Sequence, residues 1–194
     1  MTCIVALIEN GIPYFAGDAL AVNIPNSYHS RANQTVRRQP KIFHKNGMFF
    51  GYNGSVRMGQ LLEYTLEPPA YVPGQDKIKY LVAHFIPALQ GDFKEAKFDD
   101  ENIEGGILLA LEGELFTINS EFGVCNTADG YEAIGQASEV ALGSLHTTAE
   151  LRLPPRERLY LALKAAERHT CVVSAPFTYI TTGMEQPEIL HSPF

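Results

Sequence analysis

Apolar residues alternate with short turn signals along the chain, and this pattern predicts strands joined as hairpins. Residues 2–9 are rich in Ile, Val and Leu and stop at Asn10-Gly11, after which residues 12–17 form a second apolar stretch. Asn-Gly between two apolar runs is a strong hairpin signal, because both residues tolerate the positive φ of a type I′ turn. We therefore predict an antiparallel hairpin that ends just before Asp18.

Two further hairpins are predicted around the turn pairs Asn46-Gly47 and Glu112-Gly113. Their strands cover residues 41–44, 48–52, 106–111 and 115–119. Additional short strands are expected near Gly123, at residues 131–134 and within residues 171–182. Residues 23–39 and 91–105 are polar and are interpreted as loops, and long loops inside compact domains are often functional.

Helical periodicity and capping residues predict two pairs of helices between the strands. Ser55 and Asp76 are predicted N-caps, each followed by apolar residues at helical spacing. The second pair of helices is expected at residues 138–146 and 155–169, and the second helix of this pair opens with Pro154-Pro155. Clustered hairpins and clustered helices predict a single α+β domain over residues 1–194, in which two antiparallel sheets stack between helical layers.

The net charge and the lengths of the apolar stretches disfavour two classes of protein, nucleic-acid-binding and membrane-spanning proteins. The net charge of −7 disfavours a broad nucleic-acid surface, which needs a positive field to bind phosphates. The short basic cluster of Arg37, Arg38 and Lys41 is interpreted as a solvated loop or as a contribution of Lys41 to a site. No apolar stretch approaches the ~20 residues of a membrane span, and the N-terminus has no basic region typical of a signal peptide. We expect a cytoplasmic protein.

Cysteine and histidine positions give no sign of a metal or cofactor site. The three cysteines, Cys3, Cys125 and Cys171, are an odd number at wide spacing, unlike a disulfide framework or a zinc pattern. The six histidines also lack ligand spacing. We expect reduced thiols and no cofactor.

Three residues suggest nucleophilic chemistry. Thr2 begins the first predicted strand, and Asp18 and Lys41 lie at the ends of the next ones. An N-terminal Thr combines a hydroxyl nucleophile with an α-amine whose pKa of ~8 suits a general base. A Lys ammonium flanking Thr2 would lower the pKa of the hydroxyl, while a carboxylate holds the ammonium in place. Cys3 is a weaker alternative nucleophile, because its side chain should face the opposite side of the sheet.

Two segments carry a resemblance to a known family: TCIVALIENGIPYFAGDALAV and PKIFHKNGMFFGYNGS. They are similar to segments of proteasome β subunits and of the related bacterial peptidase that works with an ATPase unfoldase, which are N-terminal-nucleophile (Ntn) hydrolases. The resemblance implies a four-layer αββα sandwich with Thr2 as the nucleophile and Asp18 and Lys41 as its charged partners. It also implies an oxyanion donor in the backbone at Gly54 or Ser55.

The resemblance also implies supporting positions, at which this chain departs from the family. The run AIGQAS looks like the glycine-rich turn before the family's third helix, but Gln136 stands where a serine is common, with Ser138 two residues later. His169 or Thr170 stands where the family has an Asp that supports the Thr amine.

The function implied by the resemblance is threonine-type cleavage of polypeptides inside a homo-oligomeric ring of six or seven chains, with an ATPase unfoldase as a possible partner. Removal of Met1 is required, because a retained Met1 turns the Thr2 amine into an amide. Two alternatives stay open: an inactive structural or assembly subunit with the same fold, and a small-molecule amidase.

Overall fold

The computed structural model describes residues 2–22, 34–98 and 101–192, and their strands form two five-stranded antiparallel sheets and one two-stranded ladder. In chain order the strands are β1 (Ile4–Glu9), β2 (Ile12–Asp18), β3 (Leu20–Val22), β4 (Gln34–Val36), β5 (Ile42–Lys45), β6 (Met48–Gly54), β7 (Gly105–Leu111), β8 (Glu114–Ile118), β9 (Val124–Asn126), β10 (Tyr131–Ile134), β11 (Phe177–Thr181) and β12 (Glu188–Ile189). The helices are α1 (Val56–Tyr64), α2 (Lys77–Tyr80), α3 (Ile86–Glu95), α4 (Ser138–Glu150) and α5 (Pro155–His169).

The three predicted hairpins are confirmed. The β1–β2, β5–β6 and β7–β8 pairs are antiparallel, and the first residue of each turn, Asn10, Asn46 or Glu112, has a positive φ of 53°, 50° or 48°. The second residue of each turn is a glycine whose φ is also positive, at 77°, 77° and 73°. These dihedrals match the type I′ turns that the sequence predicts.

Sheet I has the strand order β10-β1-β2-β11-β12, and sheet II has the order β5-β6-β7-β8-β9. Three separate apolar clusters show how the layers stack. One cluster contains residues of both sheets, including Ile4, Phe15, Phe49 and Leu108, and therefore lies between them. Another joins sheet II to α1, α2 and α3, and the third joins sheet I to α4 and α5. The four-layer αββα sandwich predicted from the sequence is confirmed.

Strand β1 is buried on both faces because it lies inside this stack. Ile4 and Ala6 pack in the cluster between the sheets, whereas Val5 and Leu7 pack toward α4 and α5, as does Cys3 just before the strand. This explains why the first strand reads as a continuous apolar run instead of an alternating one.

A π-helical turn, Leu81–Phe85, connects α2 to α3 without a break. Asp76 caps α2 as predicted, with its side chain accepting a hydrogen bond from the Lys79 N–H at 2.9 Å. Pro87, near the start of α3, has no N–H, and its ring would clash with the carbonyl of Ala83 in a regular α-helix. The wider turn accommodates this proline.

Several predicted boundaries were wrong. Strand β4 lies within the predicted loop at residues 23–39, where it pairs with β3, and residues 23–33 of that loop lie outside the described residues. Helix α3 continues to Glu95, inside the second predicted loop, because Phe93 packs in the core. Helix α4 similarly continues past the predicted residue 146, since Thr148 is buried. The predicted strand at residues 171–182 starts only at Phe177.

In the described part of the chain, no helix has both the length and the apolar character needed to cross a membrane.

Candidate active site

Thr2, Asp18 and Lys41 lie together in the interior of the protein. The Lys41 Nζ atom donates hydrogen bonds to Thr2 Oγ1 and to Asp18 Oδ1, both at 2.9 Å. A third hydrogen bond from Nζ reaches the Leu20 carbonyl at 2.6 Å. The three residues are only 3%, 1% and 4% exposed, respectively. The structure therefore brings together the three side chains that the sequence singled out.

Backbone groups hold the Asp18 carboxylate in place. Asp18 Oδ1 accepts a hydrogen bond from the Cys3 N–H, and Oδ2 accepts one from the Leu20 N–H, both at 3.0 Å. The Asp18 N–H in turn donates to the Cys3 carbonyl at 3.2 Å. This reciprocal pairing fixes Asp18 against the residue that follows Thr2, so the carboxylate also positions the start of the chain.

The ion pair between Lys41 and Asp18 connects the two sheets. Asp18 ends β2 in sheet I, whereas Lys41 directly precedes β5 in sheet II, where its carbonyl accepts the Tyr52 N–H at 3.1 Å. Gly51 of sheet II allows the sheets to approach here, because a Cβ atom on it would lie 2.5 Å from the Ile4 side chain of sheet I, closer than real contacts allow. Within sheet I, Gly17 leaves room for the same side chain, which would lie 2.7 Å from an added Cβ atom.

Burial acts on both charges of the pair. It lowers the pKa of Lys41, which the Asp18 carboxylate opposes, and it raises the pKa of Asp18, which Lys41 and the two backbone donors oppose. The hydrogen bonds favour the charged pair, because three acceptors satisfy the three N–H groups of an ammonium and three donors satisfy the carboxylate. An ammonium held this way stabilises negative charge that develops on the Thr2 oxygen.

The two predicted oxyanion positions differ in how their backbone is used. The Ser55 N–H donates to the Glu104 carbonyl at 3.2 Å, and the Ser55 hydroxyl accepts the Met58 N–H at 3.4 Å to cap α1. Both groups of Ser55 thus have structural partners, and its role as an oxyanion donor stays a prediction. Gly54 has a φ of 100°, and a Cβ atom there would lie 1.7 Å from the Glu104 carbonyl oxygen. The structure requires glycine at this position, which remains the candidate donor.

The glycine-rich turn lies against the backbone of Thr2. A Cβ atom on Gly135 would come within 2.2 Å of the Thr2 carbonyl oxygen, so the two backbones are in direct contact. Gln136 is exposed, and the Ser138 N–H donates to the Gly135 carbonyl at 3.1 Å where α4 begins. The supporting roles of Gln136 and Ser138 remain predictions.

The end of α5 has a structural role. The Thr170 hydroxyl donates to the Ala166 carbonyl at 2.8 Å, which closes the last turn of the helix. His169 is exposed at the same end. The Thr170 hydroxyl therefore stabilises the end of the helix. The roles of His169 and Thr170 at Thr2 stay predictions.

Solved structures share this architecture at low sequence identity. A structure of BPH from Thiobacillus denitrificans in complex with epoxomicin matches with a TM-score of 0.75 and 20% identity, covering 95% of this chain and 98% of that one. HslV from Trypanosoma brucei matches with a TM-score of 0.67 and 16% identity, covering 93% and 98%. An Anbu mutant from Hyphomicrobium sp. strain MC1 matches with a TM-score of 0.68 and 13% identity, covering 100% and 88%.

The chain has the proteasome-like Ntn-hydrolase fold. No protein-family model matches the sequence, and no curated protein matches it. The likeness therefore rests on three-dimensional structure, and it confirms the resemblance seen in the two N-terminal segments.

Sequence reasoning missed the backbone groups that complete the site. The Leu20 carbonyl and N–H and the Cys3 N–H contribute hydrogen bonds that any residue type except proline would supply. The sequence around Asp18 gives only an indirect signal: its neighbours Gly17 and Ala19 are small, which suits a buried backbone that turns into β3.

We expect Cys3 to be inert, although it lies next to Thr2. Burial raises the pKa of the Cys3 thiol to about 12, with a further contribution from Asp18, and its Sγ lies 3.9 Å from the Ala137 carbonyl. Cys125 and Cys171 are exposed. Titration of the native protein with a thiol reagent at pH 8 should modify two thiols rapidly and the third only after denaturation. Rapid modification of Cys3 in a variant lacking both exposed cysteines would contradict this prediction.

Proposed function

We propose that this protein is a threonine-type peptidase that hydrolyses peptide bonds through an acyl-enzyme on Thr2. The observation that carries the proposal is the buried contact between Lys41 Nζ and Thr2 Oγ1, with Asp18 holding the same ammonium. Such a contact stabilises a developing alkoxide, which an ordinary structural threonine does not need.

The proposed reaction has two stages. The Thr2 hydroxyl attacks the substrate carbonyl, and its proton passes to the Thr2 α-amine, directly or through water. The N–H of Gly54 is the candidate donor to the oxyanion of the tetrahedral intermediate, which collapses to an ester on Thr2 as the leaving amine takes the proton. A water molecule, deprotonated by the same amine, then hydrolyses the ester and releases the acid product.

The mechanism requires a free amine on Thr2, and therefore removal of Met1. Met1 lies outside the described residues. Within the proteasome-like fold, a chain that retains Met1 fits the alternative of a structural or assembly subunit. A small-molecule amidase is the remaining alternative on the same fold.

We further propose a ring of identical chains that encloses the Thr2 sites and receives unfolded polypeptides, with an ATPase unfoldase as a possible partner. The support for this assembly is the fold shared with HslV and BPH, over more than nine tenths of the chain.

A peptide epoxyketone tests the proposed function, because this reagent reacts with both the hydroxyl and the free amine of an N-terminal threonine. A solved neighbour, BPH, is in complex with one such compound, epoxomicin. Intact-mass measurement should show loss of Met1 and one adduct per chain, mapped to Thr2. Thr2→Ser should still form the adduct, whereas Thr2→Ala should not, and only the former should cleave unfolded polypeptides.

Each alternative has its own signature in this experiment. Retained Met1 without an adduct would establish the non-catalytic subunit and reject the peptidase. Cleavage of a small acyl amide without cleavage of unfolded polypeptides would favour the amidase.

A further inference from the structure

Arg37 directly follows β4 of the short β3–β4 ladder, where its backbone pairs with the residue between Asp18 and Leu20. Its N–H donates to the Ala19 carbonyl at 2.9 Å, and the neighbouring pair in this ladder is Leu20 with Val36. Ala19 stands between Asp18 and Leu20, the two residues that hold the Lys41 ammonium. The ladder therefore fixes the backbone of Arg37 within one residue pair of the catalytic candidates.

Among the described residues, the Arg37 side chain has no ion-pair partner. It is half-buried. A half-buried guanidinium without a carboxylate partner has lost part of its hydration and gains from any carboxylate that approaches.

The positive charge of Arg37 acts on two side chains, Lys41 and Tyr52. It adds to the effect of burial in lowering the pKa of Lys41, and it opposes the burial that raises the pKa of Tyr52. Tyr52 lies in β6 of sheet II, and its N–H donates to the carbonyl of Lys41, which directly precedes β5 of the same sheet. The charges of Lys41 and Asp18 cancel as an ion pair. Arg37 therefore adds a net positive charge to this group of residues.

We propose that Arg37 selects substrates that carry a carboxylate beside the bond that is cleaved. The proposal rests on the proposed peptidase function and makes Arg37 a specificity-determining residue. A guanidinium binds a carboxylate through two parallel N–H groups, a geometry that amides and apolar groups do not reproduce. A cation at this position also disfavours a substrate lysine or arginine by repulsion.

The expected discrimination is measurable. A hydrogen bond to a charged group is worth roughly 1.5–3 kcal/mol, which converts to about 10- to 150-fold in kcat/KM. Peptides with Asp or Glu beside the bond should therefore be cleaved at least about 10-fold more efficiently than matched peptides with Asn, Gln or Leu. Peptides with Lys there should be the poorest substrates.

The experiment compares four peptides that differ only in the residue before the cleaved bond: Glu, Gln, Leu and Lys. Arg37→Gln should lower kcat/KM for the Glu peptide about 10-fold or more and leave the Gln and Leu peptides within about twofold. Arg37→Glu should reverse the preference toward Lys. Arg38→Gln is the matched control, because this neighbouring arginine is exposed, and it should leave the order of preference unchanged.

The substrate carboxylate can belong to a side chain or to a chain terminus, and further peptides distinguish these two sources. Peptides with Glu on either side of the bond, each with a free or an amidated C-terminus, show whether a side chain or a chain terminus supplies the carboxylate. Both results support the proposal and assign its source. Equal cleavage of the Glu and Gln peptides by the unmodified enzyme, or an equal loss on all peptides in Arg37→Gln, would overturn it.

A failure of the peptidase proposal and a failure of the Arg37 proposal give different experimental results. If no peptide is cleaved and an uncharged epoxyketone forms no adduct on Thr2, the peptidase function fails and the role of Arg37 fails with it. If the adduct forms and neutral peptides are cleaved without any preference for an acidic residue, only the role of Arg37 fails.

Discussion

Replacing Lys41 with methionine should abolish hydrolysis and lower the free energy of unfolding by about 3–5 kcal/mol. Methionine fills a similar volume, so the cost comes mainly from Asp18, whose buried negative charge loses its ion-pair partner. The Thr2 hydroxyl also loses its hydrogen-bond donor. Urea unfolding measures the stability, and peptide cleavage together with epoxyketone labelling measures the activity.

The double variant Asp18→Asn/Lys41→Met separates the two effects. Removing the carboxylate should restore part of the lost stability, because no unpaired charge stays buried and the amide oxygen still accepts a backbone N–H. It should not restore hydrolysis, since no ammonium remains to donate a hydrogen bond to the Thr2 hydroxyl. Equal stability of the single and double variants would show that the ion pair is not the reason for the loss. Activity of Lys41→Met near that of the unmodified enzyme would remove Lys41 from the mechanism.

The positions of Thr2, Asp18 and Lys41 are predictable from the sequence, because local signals determine where the strands end. The turn pairs Asn10-Gly11 and Asn46-Gly47 fix the two hairpins, and Asp18 and Lys41 then lie at their ends. The contact between the hairpins is not a local property. It depends on the approach of sheet I to sheet II, which Gly51 permits because an added Cβ atom would lie 2.5 Å from the Ile4 side chain of sheet I. The resemblance to proteasome-like proteins supplied that step.

Other parts of the site leave little trace in the sequence. The Leu20 backbone binds both members of the ion pair, but a backbone group has no residue preference. The β3–β4 ladder is short, and residues 23–39 read as polar loop, so the place of Arg37 next to the site was not predicted. The resemblance places Thr170 near the Thr2 amine, whereas its hydroxyl donates to a helix carbonyl, a frequent local use of threonine.

Replacing Gly135 with alanine should disturb the site through the Thr2 backbone. Gly135 has a φ of 103°, and an added Cβ atom would lie 2.2 Å from the Thr2 carbonyl oxygen. Positive φ costs a non-glycine residue about 1–2 kcal/mol, and overpacking adds about 1–3 kcal/mol. We expect an unfolding free energy lower by about 2–5 kcal/mol. A shift of Thr2 by ~1 Å should lower kcat about 100-fold.

Gly74→Ala is the matched control for the backbone strain. Gly74 has a φ of 90°, close to that of Gly135, but an added Cβ atom there has nothing within 4 Å. This control should lose only the ~1–2 kcal/mol of strain and keep its kcat. The difference between the two variants isolates the contact with Thr2, and the loss in kcat shows whether that contact positions the nucleophile. If Gly135→Ala keeps the kcat of the control, the turn supports the fold but does not position Thr2.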